Sequence, residues 1–180
     1  MENTNTVDTP KSTKLEIIIP AFRMHSQSFY NVLDGISEEA ALERNNGKTN
    51  HVIWMAGNLV NCRYWYADLL GMDNKDPNDE FFKEGKALDE KLNYPSLAAL
   101  KKDFEEISPK VYQKLLEATD AQLSKDYSMG MDVPFVPENV LNMIGMCIGR
   151  EDYLLGQIGL MRKLLGLKGM SYEMNKDIKY

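Results

Sequence analysis

The chain has 180 residues, 43% hydrophobic and 27% charged, with a formal net charge of −6. That is enough for one domain with a full core. Scattered lysines among an excess of acids argue against nucleic acid, which needs clustered Lys and Arg. No apolar run approaches the ~20 residues of a membrane span.

Residues 1–13 are polar and rich in Thr and Asn, and they predict a flexible N-terminal arm with no apolar signal segment. Leu15, Ile18, Phe22, Phe29, Leu33 and Ile36 then recur at helical spacing. Pro20 inside this pattern either starts or kinks the helix. Residues 37–48 are acidic, predict one or two helical turns, and end at the turn signal Asn46-Gly47.

A second helix is expected over 50–71, capped by Thr49 or Asn50 and stopped by Gly71. Its apolar stripe is Val52, Met55, Ala56, Leu59, Cys62, Tyr66 and Leu70, with His51, Trp54, Asn58, Asn61 and Trp65 on or beside it. Residues 72–94 are charged, carry Pro77, and read as a crossover loop spanning the domain. A third helix begins at Pro95, with Leu97, Leu100, Phe104, Ile107, Val111, Leu115 and Ala118 on one face and Pro109 bending its middle.

Residues 120–137 hold Gly130, Pro134 and Pro137, which break helix; Asp132, Val133, Phe135 and Val136 alternate without a partner strand. The longest pattern covers 138–166, with Val140, Met143, Ile144, Cys147, Leu154, Ile158, Met161 and Leu165 inward. The polar segment 171–180 reads as a tail beyond a domain at 14–170. Four long amphipathic helices, one long crossover and no convincing strand predict an all-α four-helix bundle.

Chemistry-bearing residues are sparse. The only histidines are His25 and His51, and Cys62 and Cys147 sit on apolar stripes outside any CxxC motif. That usage predicts reduced, packed thiols in a cytoplasmic protein. His25 lies between Phe22 and Phe29, where a hydrogen-bonded core histidine is the ordinary reading. Glu151 falls near the middle of an apolar stripe and needs a partner, because a buried unpaired carboxylate costs several kcal/mol, on the order of 3–5. Arg150 points about 100° away from it, so a partner from another helix is as good a reading.

Two stretches carry a resemblance. GREDYLLGQIGLMRKLLG is similar to the last helix of the DinB-like (YfiT-like) superfamily, where an H-E-x-Y-H-x-G-Q pattern precedes a basic-apolar run. Glu151, Tyr153, Gly156 and Gln157 fit that frame. VIWMAGNLVNCRYWYADLLG resembles the family's second helix, where W-x-x-G-H supplies a first histidine. The resemblance implies a four-helix bundle and, in many members, a divalent metal on three histidines serving hydrolases or thiol transferases. Those histidine positions fall here on Asn58, Arg150 and Leu154. Asn is a poor ligand, Arg a permanent cation, and Leu cannot bind. The expectation is therefore a family member without metal or cofactor, binding a small molecule or partner at the vacated pocket. The pocket candidates are His51, Trp54, Asn58, Asn61, Arg150, Glu151 and Leu154. Rival expectations are an acid–base pair rebuilt on His51 and Glu151, metal held by His25, His51 and Glu151, and a non-catalytic dimeric scaffold. Homodimerisation through an apolar helix face is implied by the resemblance.

Overall fold

The computed structural model describes residues 8–128, 130 and 133–180. These are helical throughout apart from loops; the sole β feature among them is an isolated bridge between Asp126 and Asn139. No helix among the described residues is long and apolar enough to cross a membrane.

The first long helix, α1, runs Ile18–Leu33. Pro20 sits in its opening turn, where a missing N–H costs nothing, so it starts the helix rather than kinking it. The second, α2, runs Val52–Leu69. Its cap is His51, not Thr49 or Asn50: the Nδ1 atom accepts the Trp54 backbone N–H at 2.9 Å. Gly71 ends it at φ +72°, with the Met72 N–H reaching back to the Ala67 carbonyl at 2.9 Å. Positive φ is what lets glycine close a helix this way.

The crossover contains a single-turn helix, α3, at Asp79–Phe82. Its Phe82 is 1% exposed and lies against the backbone of α2, where a Cβ built on Gly57 would fall 2.0 Å from the ring. The glycine therefore gives the aromatic ring its seat. Next comes α4, Leu97–Glu117, capped by Ser96 so that Pro95 lies just outside it. The Glu38 carboxylate accepts the Leu97 and Ala98 N–H groups at 2.8 and 3.0 Å, placing negative charge at the helix's positive end. A short α5, Asp120–Leu123, carries a Thr119/Gln122 capping box. The longest helix, α6, runs Val140–Leu164, capped by the Asn139 side chain and closed at Gly166, φ +77°.

Named contacts give the helix directions. Phe22 stacks near Tyr112, and Phe29 stacks on Phe104 at 3.8 Å, so α1 and α4 run antiparallel. His25 meets Glu151 and the Val32 carbonyl meets Arg162, so α1 and α6 run parallel. Asn58 meets Arg150 and Cys62 meets the Cys147 carbonyl, so α2 and α6 run antiparallel. By elimination α2 and α4 point the same way. The chain must travel back along α2, about 27 Å for its 18 residues, before α4 can begin. That is why the crossover is long.

The core is the shared interior of these four helices, from Leu15 to Met161, with Phe22, Phe29, Tyr66 and Phe104 among its largest members. Burying each such side chain contributes roughly 1.5–3 kcal/mol.

Both chain ends depart from expectation where they are described. Ser12 is buried, the Lys11 N–H donates to the Leu116 carbonyl at 2.8 Å, and the Tyr112 hydroxyl donates to Asp8 at 2.8 Å. Residues 8–13 are thus strapped to α4, while residues 1–7 of the expected arm lie outside the described residues, as does Asp132. The polar tail is strapped to α1: the Gln27 amide donates to the carbonyls of Asn175 and Ile178, and Asn31 donates to that of Glu173. Backbone groups of the terminal segments make most of these contacts, so polar composition does not reveal them.

Candidate functional site

Two polar centres occupy the helical interior. The first is built on Glu151. Its Oε1 lies 2.7 Å from Arg63 Nε, and its Oε2 accepts from Arg63 Nη2 at 3.2 Å. Both side chains are 0% exposed. His25 Nδ1 lies 2.8 Å from the same Oε2, while its Nε2 lies 2.8 Å from Asp152 Oδ1. With a carboxylate on each ring nitrogen, both nitrogens donate and the ring is an imidazolium. Burial works against that charge, but the hydrogen bond to Glu151 and the fields of Glu151 and Asp152 outweigh it. Together they raise the His25 pKa above its usual value despite the nearby Arg63.

The Arg63 guanidinium also lies 3.5 Å over the Phe22 ring and 4.8 Å from that of Phe104. Two cations and two anions thus balance across three elements. Arg63 Nη1 is buried without a hydrogen-bond partner among the described residues, and none of these four side chains lines the cleft that Arg150 faces, so this centre is structural.

The second centre joins α2 to α6. Arg150 Nη2 donates to Asn58 Oδ1 at 2.6 Å across 92 residues of sequence. Asn58 is fully buried, and its amide donates to the Trp54 carbonyl at 2.9 Å, which holds its oxygen toward Arg150. Leu154, one turn after Arg150, is buried. Positions 58, 150 and 154 are those the resemblance assigns to metal-binding histidines. Their donors do not fit a dication: the Asn58 oxygen already accepts from a guanidinium, that guanidinium would repel the ion, and Leu154 has no lone pair.

Arg150 faces a cleft of about 1000 Å³. Asn61, Cys62, Tyr64, Trp65 and Asp68 of α2 form one wall. Asp76, Asp79, Phe82 and the exposed Lys75 and Lys83 form the other, from the crossover, and Tyr127 closes one side. The Asn61 amide donates to Asp76 at 2.8 Å and reaches Asp79 at 3.4 Å. The Tyr127 hydroxyl donates to Asp68 at 2.8 Å and accepts from the Trp65 indole N–H at 3.2 Å. Burial raises the Asp76 pKa above the usual carboxylate value, with help from Asp79 and Asp103; the Asn61 amide and Asn78 N–H oppose the shift.

The remaining candidates separate. His51 stands at the mouth of α2, about 18 Å of helix before Arg63 and hence far from Glu151. Its ring packs edge-on against Tyr94 at 5.1 Å, and burial lowers its pKa. An acid–base pair of His51 with Glu151 is thus not assembled, and neither is a ligand set of His25, His51 and Glu151. Nor do Arg150 and Glu151 pair with each other; each has its own partner. Trp54 contributes its carbonyl to Asn58, and its indole N–H is buried with no partner among the described residues. The Cys62 and Cys147 thiols are free and buried, and burial together with Cys62 pushes the Cys147 thiol well up, away from nucleophilic use.

Sequence reasoning missed Arg63. The signal was there: Arg63 lies one turn after Leu59 and three residues before Tyr66, on the buried stripe. It is the charge that Glu151 requires. The crossover carboxylates were missed because an aperiodic charged loop does not reveal which side chains turn inward.

No family model, no curated protein and no solved structure matches this chain.

Proposed function

We propose that the chain is a DinB-like four-helix bundle that binds a small molecule in the cleft above Arg150, without using metal. One observation carries this reading. Asn58 and Arg150, at two of the positions the resemblance assigns to metal ligands, meet at 2.6 Å, and Arg150 lines an open cleft beside the buried Asn58. The guanidinium supplies there the fixed positive charge that a metal would otherwise bring. The long crossover between two helices of the same direction also suits that bundle type.

A thermal-shift screen of the chelator-treated protein against small neutral, anionic and cationic molecules tests the proposal. A ligand at 100-fold its Kd stabilises by about 2.7 kcal/mol. For a chain of this size that raises Tm by roughly 5–10 °C. The shift should vanish in Asn61→Trp, which fills the cleft. No shift with any compound, or a shift that survives Asn61→Trp, rejects the cleft as the site.

A second reading concerns self-association through α6. Tyr153, Leu160 and Leu164 are exposed and share one face of that helix, and a Cβ at Gly149 or Gly156 would meet nothing within 4 Å. A second copy packed on this face would cover them. Light scattering coupled to gel filtration should give twice the chain mass, and Leu160→Glu should halve it; a monomeric wild type rejects the reading.

A further inference from the structure

We propose that the ligand of this cleft is a monocarboxylate with a flat apolar body. Its carboxylate would lie against Arg150 and its body against the aromatic surface of Trp65 and Tyr127. The inference rests on the cleft being the binding site and adds the chemical class of what enters it.

The anchor is Arg150. A guanidinium offers five N–H donors in a planar fork. Asn58 Oδ1 uses one of its two Nη groups, and among the described residues no carboxylate lies within ion-pair distance of Arg150. Of the other interior cations, Arg162 is satisfied by the Val32, Asp34 and Lys168 carbonyls. Arg63 and His25 are neutralised by Glu151 and Asp152, whereas this half-buried cation faces open space. Asn58 fixes one end of the fork because its own amide is tied to the Trp54 carbonyl. The remaining donors suit a planar, two-oxygen acceptor.

The same cleft limits the ligand's charge. Asp68, Asp76 and Asp79 line it, and each is held by a neutral donor, from Tyr127, from Asn61 and the Asn78 N–H, and from Asn61. None is neutralised by Arg150; the field that persists in the cleft is chiefly that of the half-buried Asp76, since Asp68 and Asp79 are exposed. A phosphate monoester carries about −1.5 to −2 and meets that field in full, while a carboxylate carries −1. Lys75 and Lys83 also line the cleft, and like Asp68 and Asp79 they are exposed to water, which screens all four charges. The walls set the ligand's body: the half-buried Trp65 and Tyr127 supply aromatic surface of the kind that takes flat apolar groups.

Four probes of one shape separate the possibilities: benzoate, benzyl alcohol, benzylamine and phenyl phosphate, titrated into the full chain with ligand-observed NMR. Benzoate should bind saturably and more tightly than the other three. Arg150→Gln should weaken benzoate roughly tenfold or more, the scale of a lost charge-assisted pair, and leave benzyl alcohol unchanged. Should Arg150→Gln fail to fold, Arg150→Lys carries the same comparison, since it keeps the charge but loses the fork. Benzylamine, benzyl alcohol or phenyl phosphate binding as tightly as benzoate overturns the carboxylate class and leaves the cleft as a binding site. Equal benzoate binding by wild type and variant does the same. Saturable binding by none of the four overturns the class and counts against the cleft reading as well.

Discussion

Arg63 and Glu151 form a two-point ion pair from which water is excluded, with Nε 2.7 Å from Oε1 and Nη2 3.2 Å from Oε2. They come from different helices, 88 residues apart. Water exclusion makes the pair costly to break and weak as a net source of stability, because the desolvation of both ions offsets their attraction. Single removal should therefore cost far more than joint removal. Arg63→Met or Glu151→Leu alone should each destabilise by about 3–5 kcal/mol, since either leaves a buried charge unmatched. The double variant should lose clearly less than the sum of the two. Urea melts of all four proteins measure the cycle; additivity would mean that the two charges do not depend on each other.

His25 ties this pair to the surface, because Asp152 on its outer nitrogen is largely exposed. Its folded-state pKa is raised above the unfolded value near 6.5. The folded protein therefore holds the His25 proton more tightly than the unfolded chain does. The resulting stability is complete below pH ~6.5 and is lost as pH rises through the folded-state pKa. Melting temperature should fall as pH rises above about 6.5, and His25→Gln should flatten that part of the profile. A wild-type profile that rises over the same window would contradict the assigned imidazolium.

The element pattern was legible in the sequence because its physical causes are local. Apolar spacing placed all four long helices, and Gly71 and Gly166 stopped two of them as read. Capping was less legible. Thr49 and Asn50 have the usual cap chemistry, yet His51 takes the role because its ring nitrogen reaches the Trp54 N–H. The Arg150–Asn58 meeting was expected only through the resemblance, and Arg63 was missed because a single charge on a stripe looks like an interruption. The cleft was least legible. Its outer wall is crossover loop, and Phe82 docking on Gly57, not periodicity, decides where that loop lies.

That docking can be tested directly. Gly57→Ala would put a methyl group 2.0 Å from the buried Phe82 ring, so the ring and the crossover behind it must move. Overpacking of this kind costs about 1–3 kcal/mol. Phe82→Ala alone should cost about 3–5 kcal/mol through the cavity it leaves. In the double variant the added methyl enters space the ring has vacated, so Gly57→Ala should cost little on the Phe82→Ala background. Thermal melts of the three variants measure this, and an equal cost of Gly57→Ala on both backgrounds would mean that Phe82 is not what the glycine accommodates.

Asp76 lines the cleft at a stability cost. Burial raises its pKa, so the folded protein binds the Asp76 proton more tightly than the unfolded chain. The sign is opposite to that of a salt-bridged carboxylate: stability is lost as pH rises from the unfolded value near 3.8 through the folded-state pKa. Asp76→Asn removes the buried negative charge and retains an oxygen to accept from the Asn61 amide or the Asn78 N–H. At pH 7 it should raise Tm, with the gain shrinking toward pH 4 as the wild-type carboxyl takes up its proton. The same variant weakens the negative field in the cleft, so it should also narrow the preference for a singly charged over a doubly charged anion. A Tm for Asp76→Asn below wild type at pH 7 would show that the carboxylate is stabilised by its neutral donors more than burial disfavours it. The cleft would then hold that charge without strain on the fold.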